Sequence, residues 1–316
     1  MLQEFADWLA YSVLGLGAGT QLGAAVNFFI YDSIKVTALL VAVIFLVGVI
    51  RTFATRQKIK KLLGEKSEGW GNVLAALLGI PTPFCSCSAV PIFIGFIEAG
   101  VPLGVTFSFL IASPLINEVA ATMLFAMFGW QIAALYITSG LVIAVVAGVI
   151  IGRLGLEGEI EDFVRTPKAK RSAEAEMGWK HRIGFGISQS RAITMTVLPY
   201  LLLGIAIGGI IHGYAPSDFL ASLAGKGNIL AVPIAVLLGI PLYSNAAGMV
   251  PIVGVLISKG MATGTALAFM MSVIGLSLPE MVILRKVLKP KLLAAFALVL
   301  FVSFVATGYI FNAIVG

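Results

Sequence analysis

LLGIPTPFCSCSAVPI, at residues 77–92, returns 160 positions later as LLGIPLYSNAAGMVPI, at residues 237–252. Extended without gaps to residues 77–109 and 237–269, the two copies are identical at 12 of 33 positions. Similarity at a fixed offset indicates one structural unit that occurs twice. Each copy is apolar on both sides of a proline-containing break, so we expect the unit to contain an interrupted helical segment.

The composition is that of a membrane protein. The chain has 316 residues, of which 59% are hydrophobic and 11% charged, and its mean hydropathy is +1.03. Soluble domains usually carry about 25% charged residues, and disordered chains are far less hydrophobic. Apolar runs of about 20 residues, the length that crosses a bilayer as a helix, recur along the chain. The sequence therefore predicts an all-α polytopic membrane protein.

Each copy is predicted to contain three full-length apolar helices and one interrupted segment. The predicted full-length helices are 34–51, 103–128 and 132–151 in the first copy, and 193–211, 263–284 and 292–314 in the second. The interrupted segments are 70–98 and 228–258. Each of their arms would reach only the middle of the bilayer, because 10–14 residues form about 15–20 Å of helix.

The distribution of Lys and Arg predicts that the interrupted segments turn back instead of crossing. Loops rich in Lys and Arg lie in the cytoplasm; residues 51–66 hold six of them, whereas residues 129–131 hold none. One crossing must separate these loops, so residues 70–98 form a re-entrant hairpin. With three crossings per copy, the second copy enters the membrane inverted relative to the first, as in secondary transporters whose binding site lies near mid-membrane.

Four regions are expected along the chain. They are an N-terminal helix at 1–33, a first transmembrane repeat at 34–152, a cytoplasmic linker at 153–192 with eight Lys or Arg, and an inverted second repeat at 193–316. Residues 5–31 are glycine-rich and only moderately apolar, so both a seventh crossing and a surface helix stay open for this stretch.

Cys85 and Cys87, the only cysteines of the chain, lie in the first break together with Ser86 and Ser88. A Cys-x-Cys in extended backbone sends both side chains to one face. Thiolates bind soft ions, and trivalent arsenic is soft in the same sense. Buried cysteines also occur as small hydrophobic residues, which is the alternative interpretation. Because both thiols lie in a proline-flanked break with two serines, we expect these four residues to bind substrate.

Polar residues at the second break and in a neighbouring helix complete the expected binding set. Tyr243, Ser244 and Asn245 form the tip of the second break, where they could bind substrate or only satisfy freed backbone groups. Asn117 lies four residues after Ser113, on the same helix face. We expect Asn117 to contact the substrate as well.

Two acidic residues are candidates for proton coupling. Glu118 lies at the centre of the apolar segment 103–128, and an ionisable residue at that depth is a functional candidate. We expect it to be buried and to load and release a proton; the alternative is a protonated carboxyl that hydrogen-bonds a neighbouring helix. Glu280 has a similar place in the second copy, where pairing with Arg285 or helix capping is an equal alternative.

Several other functions disagree with the composition. Two cysteines and two distant histidines do not form a zinc or haem site, so neither a metal site nor a cofactor is expected. The chain has no phosphate-binding loop of the Walker type, which argues against ATP hydrolysis. The net charge of +6 comes from short basic clusters beside apolar segments. Membrane topology accounts for such clusters, so no nucleic-acid partner is expected.

The motifs GIPTPFCSCSAVPI at 79–92, SPLIN at 113–117 and GIPLYSNAAGMVPI at 239–252 resemble the predicted permeases of the ArsP type, also called the YraQ-like family. The resemblance extends over most of the chain from residue 34 onward. It implies a prokaryotic permease of the inner (plasma) membrane. Some members of the family export trivalent arsenicals, including methylated and aromatic ones.

The resemblance also carries over to individual positions. Cys85 and Cys87 match the thiol pair of the family, and Asn117 and Tyr243–Asn245 match its other signature positions. The family pattern usually continues with proline after the asparagine, where this chain has Glu118.

Together these features predict a secondary active permease, not an enzyme, that exports a soft, thiol-reactive solute such as a trivalent arsenical. Its site is expected at the two hairpin tips. Two alternatives stay open: a permease for a sulfur-containing anion, and a membrane thiol oxidoreductase that uses the Cys-x-Cys pair. The expected partners are a small-molecule or ionic substrate and the lipid bilayer. Substrate identity, direction, coupling ion and a homo-oligomeric state are left open.

Overall fold

The structure is a computed structural model that describes residues 2–17, 19–51, 63, 69–80, 86–165, 178–214, 230–242, 244 and 246–315. Its helices are α1 (Leu2–Asp7), α2 (Gln21–Arg51), α3 (Trp70–Gly79), α4 (Ser86–Glu98), α5 (Leu103–Leu115), α6 (Glu118–Arg153), α7 (Asp162–Arg165), α8 (Trp179–Tyr214), α9 (Ala231–Gly239), α10 (Ala246–Ser258), α11 (Thr263–Gly275), α12 (Leu278–Arg285) and α13 (Pro290–Val315). A π-helical segment, Trp8–Val13, continues α1, and a 3-10 helix covers Leu156–Glu159. The all-helical prediction is confirmed for these residues.

Several helices have the length and composition of membrane spans. Within the described part of the chain, the four that qualify are Gln21–Leu46, Glu118–Arg153, Thr263–Arg285 and Pro290–Val315. Thr263–Arg285 consists of α11 and α12 with a short break between them. Pro290–Val315 has 26 residues, which is about 39 Å of helix and exceeds the hydrocarbon core of about 30 Å. Large apolar side chains such as Trp130 are exposed on these helices. The chain is a multi-pass membrane protein.

Two helices begin earlier than predicted. The helix expected at 34–51 begins at Gln21, and the helix expected at 193–211 begins at Trp179. Polar residues mark where a helix leaves the lipid, but they do not end it: the added turns contain no proline, and Ala, Leu and Gln favour helix. Residues 1–33 therefore contain α1, the π-helical segment and the first turns of α2, instead of one helix.

The helix bounds of the two halves correspond at an offset of 160 residues. α4 and α5 cover 86–98 and 103–115, while α10 and α11 cover 246–258 and 263–275. The starts of α6 and α12 correspond in the same way. Gly129 is non-helical inside α6 (φ 84°, ψ 173°), so the second part of α6 begins where α13 begins in the other half.

The core lies around α5 and α11. All residues of α5 are buried, and so are all residues of α11 after Thr263. α5 packs against α3, α4 and α6, while α11 packs against α9, α10 and α13. Glycines allow the closest crossings: a Cβ atom on Gly104 would lie 2.5 Å from the carbonyl oxygen of Gly148, and one on Gly264 would collide with the carbonyl oxygen of Gly308. Small residues permit such approach between membrane helices.

Candidate functional site

α5 and α11 both end inside the protein. α5 stops at Leu115 and α6 starts at Glu118, while α11 stops at Gly275 and α12 starts at Leu278. Of the residues between them, Ile116 is buried to 2% exposure and Ser277 to 1%, and Asn117 is half-buried. Irregular backbone at membrane depth occurs where protein covers it or where it lines a cavity. We call residues 116–117 and 276–277 the first and second helix break. They are distinct from the two proline-containing breaks of the sequence analysis, which we call the first tip (residues 80–88) and the second tip (residues 240–248).

The two helix breaks lie close to each other. A Cβ atom on Gly275 would lie 3.5 Å from Cδ1 of Leu115, and these two residues are counterparts at the offset of 160. α5 and α11 also pack against each other. The ends of α5 and α11, both buried, therefore lie next to each other.

The last residue of α3, which directly precedes the first tip, lies close to the first helix break. A Cβ atom on Gly79, the last residue of α3, would lie 3.1 Å from both the Cβ atom of Ala112 and the backbone nitrogen of Ser113. Residues 81–85, Cys85 included, lie outside the described residues. Ser86, Cys87 and Ser88 form the first turn of α4, but their side chains also lie outside the described part. Cys85 therefore immediately precedes α4 in the sequence, and the backbone of Cys87 belongs to its first turn.

The second tip touches the second helix break directly. The backbone N–H of Leu278 donates a hydrogen bond of 2.8 Å to the carbonyl oxygen of Ile240. The hydroxyl of Ser272 donates a hydrogen bond of 2.6 Å to the carbonyl oxygen of Val236, one turn earlier in α9. Ser244 is half-buried in the tip, whereas Tyr243 and Asn245 are outside the described residues.

Asn117 caps α6. Its Oδ1 accepts a hydrogen bond of 2.7 Å from the backbone N–H of Ala120, and its Nδ2 donates one of 3.4 Å to the carbonyl oxygen of Pro114. The side chain thus joins the two helices across the first helix break. At the second helix break the capping position belongs to Ser277, whose side chain makes no capping hydrogen bond.

The two candidate acids have opposite surroundings. Glu118 was expected to be buried, but it is exposed, whereas Glu280 is buried to 2% exposure. In the first turns of α6 the buried face belongs to Ala120 and Leu124, four residues apart, so Glu118 lies on another face of the helix. Arg285, the expected partner of Glu280, donates a hydrogen bond of 3.0 Å to Glu161.

Tyr136 is a buried polar residue that the sequence prediction missed. It is completely buried, and its hydroxyl has no hydrogen-bond partner among the described residues. It lies one turn from Gly140, where an added Cβ atom would lie 2.9 Å from Cγ1 of Ile116 in the first helix break. Comparison of the two repeat copies could have identified this residue. The counterpart of Tyr136 is Phe296, so the hydroxyl is a polar group that only the first copy has.

The described residues contain no group of three or more His, Cys, Asp or Glu side chains placed to hold a metal ion. The polar groups that the structure describes near the helix breaks are hydroxyls, an amide and one buried carboxyl. Such a set can bind and release a solute.

Comparison with known proteins points in the same direction. The family ArsP_1, described as predicted permease, matches residues 21–313, from the first residue of α2 almost to the end of α13. The UPF0718 protein MJ0584 of Methanocaldococcus jannaschii is 25% identical over 87% of this chain and 91% of its own length. The UPF0718 protein YraQ of Escherichia coli is 24% identical over 89% of this chain and 79% of its own. No solved structure matches.

A further relative is described as a putative two-component membrane permease complex subunit and comes from Streptococcus mutans. It is 24% identical over 60% of this chain and 63% of its own length.

Proposed function

Because the chain belongs to the ArsP_1 family of predicted permeases, we propose that it is a secondary active permease whose substrate lies between the two helix breaks. The observation that carries the proposal is the contact between Leu115 and Gly275, which brings the two interrupted helices together at a buried place. Secondary transporters form their substrate sites where discontinuous helices of two repeats meet.

The directions of α6 and α13 support an inverted arrangement of the two halves. Arg285, the last residue of α12 and five residues before α13, donates a hydrogen bond to Glu161, which follows α6 by eight residues. Ile160 pairs with Leu288 in the same region. The C-terminal end of α6 thus lies beside the N-terminal end of its counterpart, so the two helices run in opposite directions.

The pair α2 and α8 supports the same arrangement independently. The hydroxyl of Ser190 donates a hydrogen bond of 3.0 Å to the carbonyl oxygen of Val41. A Cβ atom on Gly186 would lie 2.8 Å from Cγ2 of Val49. As the residue number rises along α8, the number of its neighbour in α2 falls, so these counterpart helices are also antiparallel.

Contacts within the first half support a re-entrant hairpin formed by α3 and α4. Nδ2 of Asn72 donates a hydrogen bond of 2.9 Å to the hydroxyl of Ser108, and Gly79 lies against Ala112. α3 therefore runs parallel to α5. α4 joins α5 through a short turn at Gly100, which has a φ of 79°, and packs back against α5. Two helices that run in opposite directions and touch the same partner form a hairpin.

The thiols of the first tip favour a soft solute, and we propose a trivalent arsenical that is exported. Cys85 and Cys87 would bind the arsenic atom through sulfur, since thiolates prefer soft partners. Tyr243, Ser244 and Asn245 of the second tip would hold its other substituents. Glu280, buried beside the second helix break, would carry the coupled proton, with the exposed Glu118 in a secondary role.

Uptake into everted membrane vesicles tests this function. Vesicles with the wild-type chain should accumulate a trivalent phenylarsenical when a proton gradient is imposed, and vesicles with Cys85→Ser and Cys87→Ser together should not. Ser258→Ala is the matched control, because the hydroxyl of Ser258 is exposed and bonds only to its own helix at Val255. Equal uptake by the wild type and the double cysteine variant would refute the role of the thiols. No uptake by any of the proteins would refute the arsenical substrate.

A further inference from the structure

A short helical segment precedes the residues that the family match covers. It consists of α1 and the π-helical continuation, and it packs against α2. Three polar side chains join the two parts. Oδ1 of Asp7 accepts hydrogen bonds from Nε2 of Gln3 at 3.0 Å and from Nδ2 of Asn27 at 2.7 Å, and Gln3 also donates to Oδ1 of Asn27 at 3.2 Å.

The two faces of this segment differ sharply. Ala6 and Ala10 are completely buried against the protein. The opposite side presents large apolar side chains to the surroundings, with Trp8 54% exposed. The exposed apolar residues are Leu2, Phe5, Trp8, Val13 and Leu14. The rings of Phe5 and Trp8 lie 6.0 Å apart. A large apolar surface of this kind marks a site of contact with a partner or a membrane.

The hydrogen bonds to Asn27 of α2 determine how deep α1 and its π-helical continuation lie in the membrane. α2 has 31 residues, or about 46 Å of helix, and the hydrocarbon core measures about 30 Å. α2 is therefore about 16 Å longer than the core. Its first turns hold the polar residues Gln21, Asn27 and Asp32, and the uncharged, largely apolar run 36–50 follows them, so the first turns fit the headgroup region better than the hydrocarbon. Because α2 ends at Arg51, beside the basic stretch 51–66, its start faces the side away from the cytoplasm.

We propose that residues 2–14 form an interfacial helix that inserts its apolar side chains into the outer leaflet of the bilayer beside the start of α2. The helix of α1 and its continuation spans residues 2–13, or about 18 Å, so it is too short to cross the membrane. Trp prefers the interface between headgroups and hydrocarbon, and Trp, Phe and Leu form the apolar face of helices that lie in this interface. Nε2 of Gln3 and Oδ1 of Asp7 are both hydrogen-bonded to Asn27 in this attachment.

The charge of this region indicates which lipids it contacts. Residues 2–34 contain Glu4, Asp7 and Asp32 but no Lys or Arg, so anionic headgroups do not attract the segment. Binding rests on apolar insertion, which depends on buried apolar area and not on lipid charge. The ligand is therefore the surface of a bilayer of neutral lipid, and no specific headgroup is needed.

Fluorescence of Trp8 tests the proposal in the full chain. Trp70, Trp130 and Trp179 are changed to Phe, and the protein is reconstituted into phosphatidylcholine vesicles. Separate samples carry bromine near the glycerol end or near the methyl end of the acyl chains. Bromine near the glycerol end should quench Trp8 more strongly than bromine near the methyl end, while aqueous iodide should quench it weakly. Added phosphatidylglycerol should not change this order.

Three outcomes would overturn the proposal. Stronger quenching from the methyl end would mean that the segment is deeply inserted, and quenching by iodide alone would mean that it faces water. Quenching that requires phosphatidylglycerol would contradict the neutral-lipid mode. The variant Asn27→Leu keeps the side-chain size and removes the attachment, so it should raise hydrogen exchange at residues 2–13 and leave exchange in α5 unchanged. Unchanged exchange at 2–13 would contradict the role of the attachment.

Discussion

In the two halves of the chain, α4 and α5 have the same bounds as α10 and α11 at the offset of 160, but the side chains differ at the places where the chemistry is proposed. The first tip has Cys85 and Cys87, and the counterparts of these residues in the second tip are Asn245 and Ala247. The backbone unit is therefore independent of the thiols. What is common to both halves serves the fold, and what differs between them is the better guide to function.

Helix packing inside the two halves also has some features that are shared and others that differ. In the first half Asn72 bonds to Ser108 at 2.9 Å, and in the second half Asn312 bonds to Thr265 at 3.0 Å. These polar bonds occupy different positions along the helices. The glycine crossings, by contrast, occur at counterpart positions in both halves. Close helix contact is the shared requirement, and the polar bond beside it is placed differently in each half.

The largest expected effect comes from the glycine crossings. Gly104→Val and Gly264→Val should each prevent folding, because the added side chain meets the carbonyl oxygen of Gly148 or Gly308 and overpacking costs about 3 kcal/mol or more in so tight a contact. Size-exclusion chromatography in detergent measures the folded fraction. If one variant folds normally and the other does not, the two halves do not share this requirement.

Gly184→Val is the matched control for the crossings. Gly184 lies in α8 and is exposed, and a Cβ atom there would have no neighbour within 4 Å. This variant should elute as the wild type does. A loss of folded protein in this control would mean that valine itself, and not the close contact, disturbs these helices.

The second prediction separates the two acids. Glu280→Gln should lower uptake driven by a proton gradient about tenfold, equivalent to about 1.4 kcal/mol, whereas Glu118→Gln should change it little, because only Glu280 is buried. Substrate exchange without a gradient should persist in both variants if the role is proton coupling. An equal loss of driven uptake in both variants would contradict the contrast between these residues.

The third prediction compares the capping residues of the two helix breaks. Asn117→Ala should reduce stability by about 1 kcal/mol, the usual cost of losing a capping side chain. Ser277→Ala should cost less, because Ser277 makes no capping hydrogen bond. Thermal unfolding in detergent, followed by helical circular dichroism, measures both. A larger loss for Ser277→Ala would show that its hydroxyl has a partner more important than a cap.

The smallest effect is expected at Tyr136. Its counterpart Phe296 is buried without a hydroxyl, so Tyr136→Phe should leave stability unchanged or raise it by up to about 1 kcal/mol, because an unpaired buried hydroxyl is unfavourable. The same unfolding measurement applies. A clear loss of stability would mean that the hydroxyl has a favourable partner.

The helix breaks correct the sequence prediction, because 103–128 and 263–284 were expected as full-length helices and the structure interrupts both. A local signal for each break is nevertheless present in the sequence. Proline ends or kinks a helix wherever it stands, and the motifs around Pro114 and Pro279 coincide with the ends of α5 and α11. The offset of 160 residues between related stretches also recurs in the helix bounds. Such features require no knowledge of neighbouring helices.

Other features depend on tertiary contacts and could not be predicted from the sequence. The exposure of Glu118 follows from the face of α6 that packs inward, and an apolar helix has no clear polar side to reveal that face. The early starts of α2 and α8 follow from backbone continuity outside the lipid. The burial of Tyr136 depends on how α6 packs against the end of α5.

Labelling of two counterpart positions tests the inverted arrangement most directly. Pro102→Cys and Ala262→Cys, each in the Cys85→Ser, Cys87→Ser background, lie in the turns before α5 and α11. Opposite orientation of the halves predicts that a membrane-impermeant maleimide labels the residue at 262 in intact cells and the residue at 102 only in inverted vesicles. Labelling of both residues from the same side would contradict it.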